Sequence, residues 1–297
     1  MREIITPSTF TAQVESIVTA GGTITEKFRT IAARWDDYSS NDHTMQDELN
    51  AAILDPGTTS ERLAHLRILA EAEAASSPVT AATVRNTAAA EVVAALRVEY
   101  RTVAAANYDT IREAFNAKAG ELVKALETTD SEASAENIVK ATAKERAAWS
   151  DGPALAIELS ALLGTLHTAA TLAGLRAYTG KLDSILIGLT VNAEGLHRRR
   201  VWEAWDNTTS RAGRWRELWN LGATIEAPEL DDAKPYREPA PMETRAQHIG
   251  TGVRQYVHDP EDDAHQVERH QLQKTALQAG IQQVDYSDTE ANAVHVN

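Results

Sequence analysis

After Pro78 the chain runs to Glu127 without a proline and with a single glycine, Gly120. Val92, Leu96, Tyr100, Val103, Ile111, Phe115, Leu122 and Leu126 recur through it at helical spacing, while Arg85, Arg97, Arg101, Arg112 and Glu113 fall outside that stripe. An unbroken helix of that length spans roughly 70 Å at 1.5 Å per residue, longer than a compact domain is wide. Gly120 is the place inside it where a kink or an early end is expected. The stretch calls for an all-α fold: an elongated helical bundle around one long central helix.

Flanking segments read the same way. Phe10, Val14, Ile17 and Val18 form a stripe that ends at Gly21-Gly22. Thr23-x-x-Glu26 has the form of a capping box, and Ile24, Phe28, Ile31 and Trp35 behind it share a helix face. Met45, Leu49, Ala52 and Ile53 mark a short third helix, and Thr58-x-x-Glu61 opens a fourth with Leu63, Leu66 and Leu69. After the polar hinge at residues 128–131, Ile138, Val139 and Trp149 mark another helix. Asp151-Gly152-Pro153 then leads into the most apolar segment, 153–175, where Glu158 is the sole formal charge. That segment is long enough to span a bilayer. Its Ser, Thr, His and Glu residues fit a helix buried among others better than one in hydrocarbon. Leu182, Ile185, Leu186 and Leu189 supply a last short stripe.

The chain has 297 residues, 43% of them hydrophobic, with only three phenylalanines and seven tyrosines. Much of the apolar share is alanine, so long helix-on-helix contacts must supply the stability. A formal charge of −14 argues against coating nucleic acid, which needs a basic face. Having no cysteine removes disulfides, thiol catalysis and Cys-based metal sites. Glu3 interrupts the apolar run that a secretory signal needs, so no secretory signal is read and the Asn207-Thr208-Thr209 sequon carries no weight.

At Gly222 the composition shifts. Residues 222–297 hold five of the nine prolines, eight glutamines and 14 acidic against six basic residues. The expected division is a helical domain over 1–221 and an acidic, Pro/Gln-rich arm or disordered tail over 222–297. Ala223 to Pro241 reads as an extended linker, with one helix near 261–284 carrying Val267, Leu277, Ile281 and Val284.

Catalytic signatures are missing: no Gly-x-Ser-x-Gly, no His-Glu-x-x-His, no P-loop, and Gly250-Thr251-Gly252 is a bare Gly-x-Gly. Glu194-x-x-His197 is half of the double motif a di-iron bundle requires. His258, Asp262, His265 and His270 are a richer ligand set, which a solvated acidic helix would equally produce. Asp36-Asp37, Asp231-Asp232 and Asp262-Asp263 are sequence neighbours that point apart, and His167 reads as a core histidine. The expectation is no enzyme, no metal and no cofactor.

What stands out is residues 193–221. Trp202, Trp205, Trp215 and Trp219, four of the six tryptophans, fall there with Arg198, Arg199, Arg200, Arg211, Arg214 and Arg216. The tryptophans pair at spacings of three and four, and Asp206 to Ser210 separates the pairs, which makes a helical hairpin. Trp and Arg are enriched at interface hot spots and stack on each other, so these ten residues are the expected packing or partner-contact surface. The acidic tail of another copy is the natural counterpart. A nucleic-acid grip through the same arginines is the alternative, and a membrane surface a weaker one.

In layout, with its long alanine-rich helices, acidic charge, absent cysteines and dependent arm, the chain resembles the helical scaffolding and structural proteins of tailed-phage particles. The resemblance implies a structural or assembly role in homo-oligomers or with other structural subunits, with a cytoplasmic or virion location, and carries over no functional residue. Scaffolding proteins of that kind end in a basic segment, whereas here the basic segment is internal (Arg198 to Arg216) and the tail acidic.

Overall fold

The computed structural model describes residues 5–40, 44–176, 178–249 and 252–278. The fold is predominantly all-α, with twelve helices and two small strand pairs among the described residues. The chain divides into two compact units, Met1–Asn107 and Tyr108–Asn297. This boundary differs from one at 221/222, because residues just past 221 belong to the core of the second unit.

In the first unit, α1 (Pro7–Thr19), α2 (Glu26–Ser40) and α5 (Pro78–Arg101) pack on one another, and α3 (Met45–Leu54) forms a hairpin with α4 (Ser60–Ala75). Phe10, Phe28 and Tyr100 meet with ring centres 6.3 Å apart in each pair. Thr23 does not begin α2: its backbone is held by Asn107, and the hydroxyl of Thr25 caps the helix by accepting from Phe28 N–H at 3.0 Å. The cap of α4 is likewise Thr59 rather than Thr58.

The long proline-free stretch is two helices. α5 ends at Arg101 and α6 (Ala104–Thr128) begins three residues on, so the break lies at Thr102-Val103 and Gly120 is uninterrupted helix. Two adjacent β-branched residues meet here, and the Thr102 hydroxyl donates to the carbonyl of Glu99 at 2.7 Å. Such back-bonding competes with the helical ladder, and the N–H groups of Thr102 and Val103 take tighter i−3 bonds.

From Tyr108 onward α6 belongs to the second unit and buries Ile111, Phe115, Ala119, Leu122 and Leu126. After α7 (Ala135–Val139), the longest helix is α8 (Ala143–Ala173), which opens on a Thr142/Glu145 capping box and passes through Pro153. Trp149 and the apolar segment therefore share one helix. α8 is long and apolar enough to cross a membrane, but it is not enclosed on all sides as expected: Leu159, Leu163, Leu166, Ala169 and Ala170 are buried while Ile157 is 71% exposed.

Next come α9 (Leu182–Thr190), β1 (Val191–Asn192), α10 (Arg198–Asp206) and α11 (Gly213–Asn220). The expected linker is instead seated in the unit. β2 (Thr224–Ile225) pairs antiparallel with β1, with Val191 opposite Ile225. The Asn116 amide holds Ala227, accepting its N–H at 2.7 Å and donating to its carbonyl at 3.1 Å. Tyr108 donates its hydroxyl to Pro228 O at 2.7 Å, and burial pushes that phenol's pKa up to about 12. Further on, Tyr236 N–H donates to Ser184 O, and the backbone at Lys234 passes so close to Gly188 that a Cβ there would collide with it.

Past Pro241, β3 (Glu243–Ile249) and β4 (Gly252–His258) form an antiparallel ribbon from Glu243↔His258 to Ile249↔Gly252, followed by α12 (Pro260–Gln278). The ribbon was not expected. Gly250 and Thr251, Ile281 and Val284 lie outside the described residues.

Candidate functional site

α10 and α11 form the expected hairpin, but its tryptophans point mostly inward. Trp205 and Trp215 are fully buried and meet edge to face at 5.8 Å, with Phe115 5.9 Å from Trp215. Within the hairpin each buried indole N–H has an acceptor, as an interior tryptophan requires. Trp205 donates to Asp183 at 2.9 Å, Trp215 to the Ser160 hydroxyl at 2.8 Å, and Trp202 to the carbonyl of Arg237 at 3.0 Å. Trp202 is buried as well, and only Trp219 is partly open. Three of the four tryptophans thus anchor this chain's own core, with acceptors from α8, α9 and the 228–241 segment that spacing along the sequence does not reveal.

The arginines divide three ways. Arg214 lies over the Trp205 ring at 4.3 Å and Arg211 over Trp149 at 3.5 Å, both within cation–π range. Arg216 bonds Asp130 at 2.9 Å and Glu217 at 3.0 Å. The Glu132 backbone N–H, and after it Arg216, hold the Asp130 carboxyl below its ordinary pKa. Arg200 is exposed.

Arg198 and Arg199 meet the acidic stretch that opens α12. His197, Arg198 and Arg199 take Asp262, Glu261 and Asp259 as partners, two short runs paired in reverse order. Glu261, only 3% exposed, accepts from Arg198 and from the Ala240 N–H. Asp259 accepts from Arg199, which also donates to the Ala240 carbonyl, and its carboxyl is held below the ordinary range chiefly by Arg199. A charge-assisted bond is stronger for being withdrawn from water, provided both partners are satisfied. The arginine-to-tail pairing expected between copies is made inside one chain, because the tail returns to α10 directly after β4.

This clasp also gathers metal-ligating groups. Ligand atoms of His197, Asp259 and Asp262 all lie within 4.8 Å of one another, and the His265 ring centre is 5.4 Å from that of His197. Of His258, Asp262, His265 and His270, the potential ligands of the tail, Asp262 and His265 come together here. His258 lies instead against Asp263 at 3.1 Å, and the His270 Nδ1 faces the carbonyl of Gln266 at 2.8 Å. His197 and Asp259 are the members that spacing along the sequence does not select, since His197 lies 65 residues before Asp262 and Asp259 precedes α12. Asp262 and Asp263 do point apart, each to its own histidine. A cavity of about 580 Å³ opens beside the clasp, lined by Asn192, Arg198, Lys234, Tyr236, Arg237 and Gln271 among others.

Compared with family models, curated proteins and solved structures, the chain matches none.

Proposed function

We propose that this protein is a non-enzymatic structural or assembly component, of a virion or a comparable large particle, that docks on further copies of itself or on other structural subunits through its C-terminal arm. The observation that carries this reading is the β3–β4 ribbon. Among the described residues neither strand pairs on its outer edge, and Val253 and Val257, on one face of it, are 58% and 65% exposed. An isolated two-stranded ribbon is marginal in water and its open edges invite another strand. The clasp at α12 holds the ribbon's base, so an otherwise unsupported element is presented rather than left to trail. A nucleic-acid grip has less support, because Arg198, Arg199, Arg211, Arg214 and Arg216 are engaged by acids and rings of this chain.

The test is absolute mass by light scattering on the full chain and on a variant in which residues 244–257 are replaced by Asn-Gly. Glu243 and His258 face each other across the ribbon, so a two-residue turn joins them without disturbing the clasp. Cutting the chain near 223 would not serve, because Ala223, Ile225 and Ala227 are buried. A defined oligomer that the excision dissociates is the expected result. A monomeric full chain with no partner, or an oligomer indifferent to the excision, overturns the reading.

A further inference from the structure

We propose that His197 and His265, with a carboxylate from the Asp259–Asp262 pair, bind a divalent transition-metal ion of the zinc class that clamps α12 onto α10. Beside the arginine–acid pairs of the clasp, two imidazoles are set side by side next to those acids. Two histidines on one tetrahedral ion, with bonds of about 2.0–2.1 Å, hold their ring centres about 5 Å apart. The rings of His197 and His265 are 5.4 Å apart and inclined at 64°.

The nitrogens of His197 point the same way. Nε2 lies 3.0 Å from Asp262 Oδ1, while Nδ1 is buried with no hydrogen-bond partner among the described residues. A metal-bound imidazole uses one nitrogen for the ion and the other for a carboxylate or carbonyl, so an ion at Nδ1 leaves Nε2 its bond to Asp262 and makes Asp259 the ligating carboxylate. Asp262 and His265 lie one turn apart on the same face of α12, and the Asp262 carboxylate is open to solvent, which provides an entry path. Asp259 keeps Arg199 as its partner, as ligating carboxylates commonly keep a hydrogen bond of their own. Imidazole nitrogen with carboxylate oxygen selects zinc, cobalt, nickel or copper over magnesium and calcium. The site holds whether or not the arm docks on a partner.

The full chain, freed of any histidine tag and stripped with a chelator, is titrated with Co2+ followed by its visible absorption, then with Zn2+ as competitor. One equivalent of cobalt giving the intense bands of four-coordinate Co2+, displaced by zinc, is expected. His197→Gln and His265→Gln, checked for retained helix by circular dichroism, each weaken binding at least about tenfold, whereas His258→Gln and His270→Gln do not. Absence of saturable binding of either ion to the unaltered chain overturns the proposal without recourse to variants. So does binding that survives the His197→Gln/His265→Gln double substitution.

Discussion

Asn107 holds both backbone groups of Thr23: its Oδ1 accepts the Thr23 N–H at 2.7 Å and its Nδ2 donates to the Thr23 carbonyl at 2.8 Å. Asn107 is 1% exposed, so this pairing settles the turn between α1 and α2 inside the unit where Phe10, Phe28 and Tyr100 meet. Asn107→Leu strands both backbone groups of Thr23 away from water. Each unsatisfied buried group costs about 1–3 kcal/mol, so a loss of about 3 kcal/mol is expected in denaturant unfolding. Asn107→Asp keeps the acceptor but sets a carboxylate against the Thr23 carbonyl, and it is expected to be no better tolerated.

Two glycines test where the backbone leaves room for a side chain. Gly188→Ala drives a methyl into the carbonyl of Lys234 and costs about 1–3 kcal/mol, with faster hydrogen exchange at Tyr236 as the strap lifts off α9. Gly120→Ala meets nothing within 4 Å and sits inside α6, so it stabilises by about 0.5–1 kcal/mol. A destabilised Gly120→Ala variant would show that α6 bends there after all.

Gly120 also shows how far a stripe of apolar residues can be read. The positions from Leu96 to Leu126 identified the buried face, because burial imposes the helical period directly on the side chains. Where the helix stops is a contest between local bonds, decided at Thr102 by a hydroxyl that the period does not register. The ribbon is barely legible in the sequence for a related reason. Its strands bury little, so no apolar and polar alternation is imposed on them. Ile249 and Val253, flanking Gly250-Thr251-Gly252 in the sequence, were the signal present. The tryptophan hairpin was legible as local structure. Its inward orientation was not, since Asp183, Ser160 and Arg237 lie 22, 55 and 35 residues from the indoles they receive.

His167 gives a pH dependence with a definite sign. It lies on α8, and burial lowers its pKa from the ordinary 6.5. The unfolded chain therefore binds this proton at a higher pH than the folded chain does. The stability due to a neutral His167 is complete above about 6.5 and is lost as pH falls through the folded pKa. Urea midpoints at pH 7.5 and 5.5 are expected to separate more for the natural chain than for His167→Leu. Equal separations would mean that the imidazole is not desolvated.

The Arg198–Glu261 pair sets how firmly the arm is seated. Both side chains are nearly withdrawn from water, and Glu261 has the Ala240 N–H as a further donor. Arg198→Ala leaves a buried carboxylate short of its cation, a defect worth about 3–5 kcal/mol when nothing relaxes. Here α12 can relax by leaving, so the expected loss appears as undocking rather than global unfolding. Hydrogen exchange should quicken over residues 259–267, and protease should cut near 242, while α6 and α8 keep their protection. Replacing Arg198 and Glu261 together by Met removes the stranded charge and should restore much of the protection. If Arg198→Ala instead lowered the melting temperature of the whole second unit with no selective exposure of the arm, the clasp would be part of the core rather than a detachable seat.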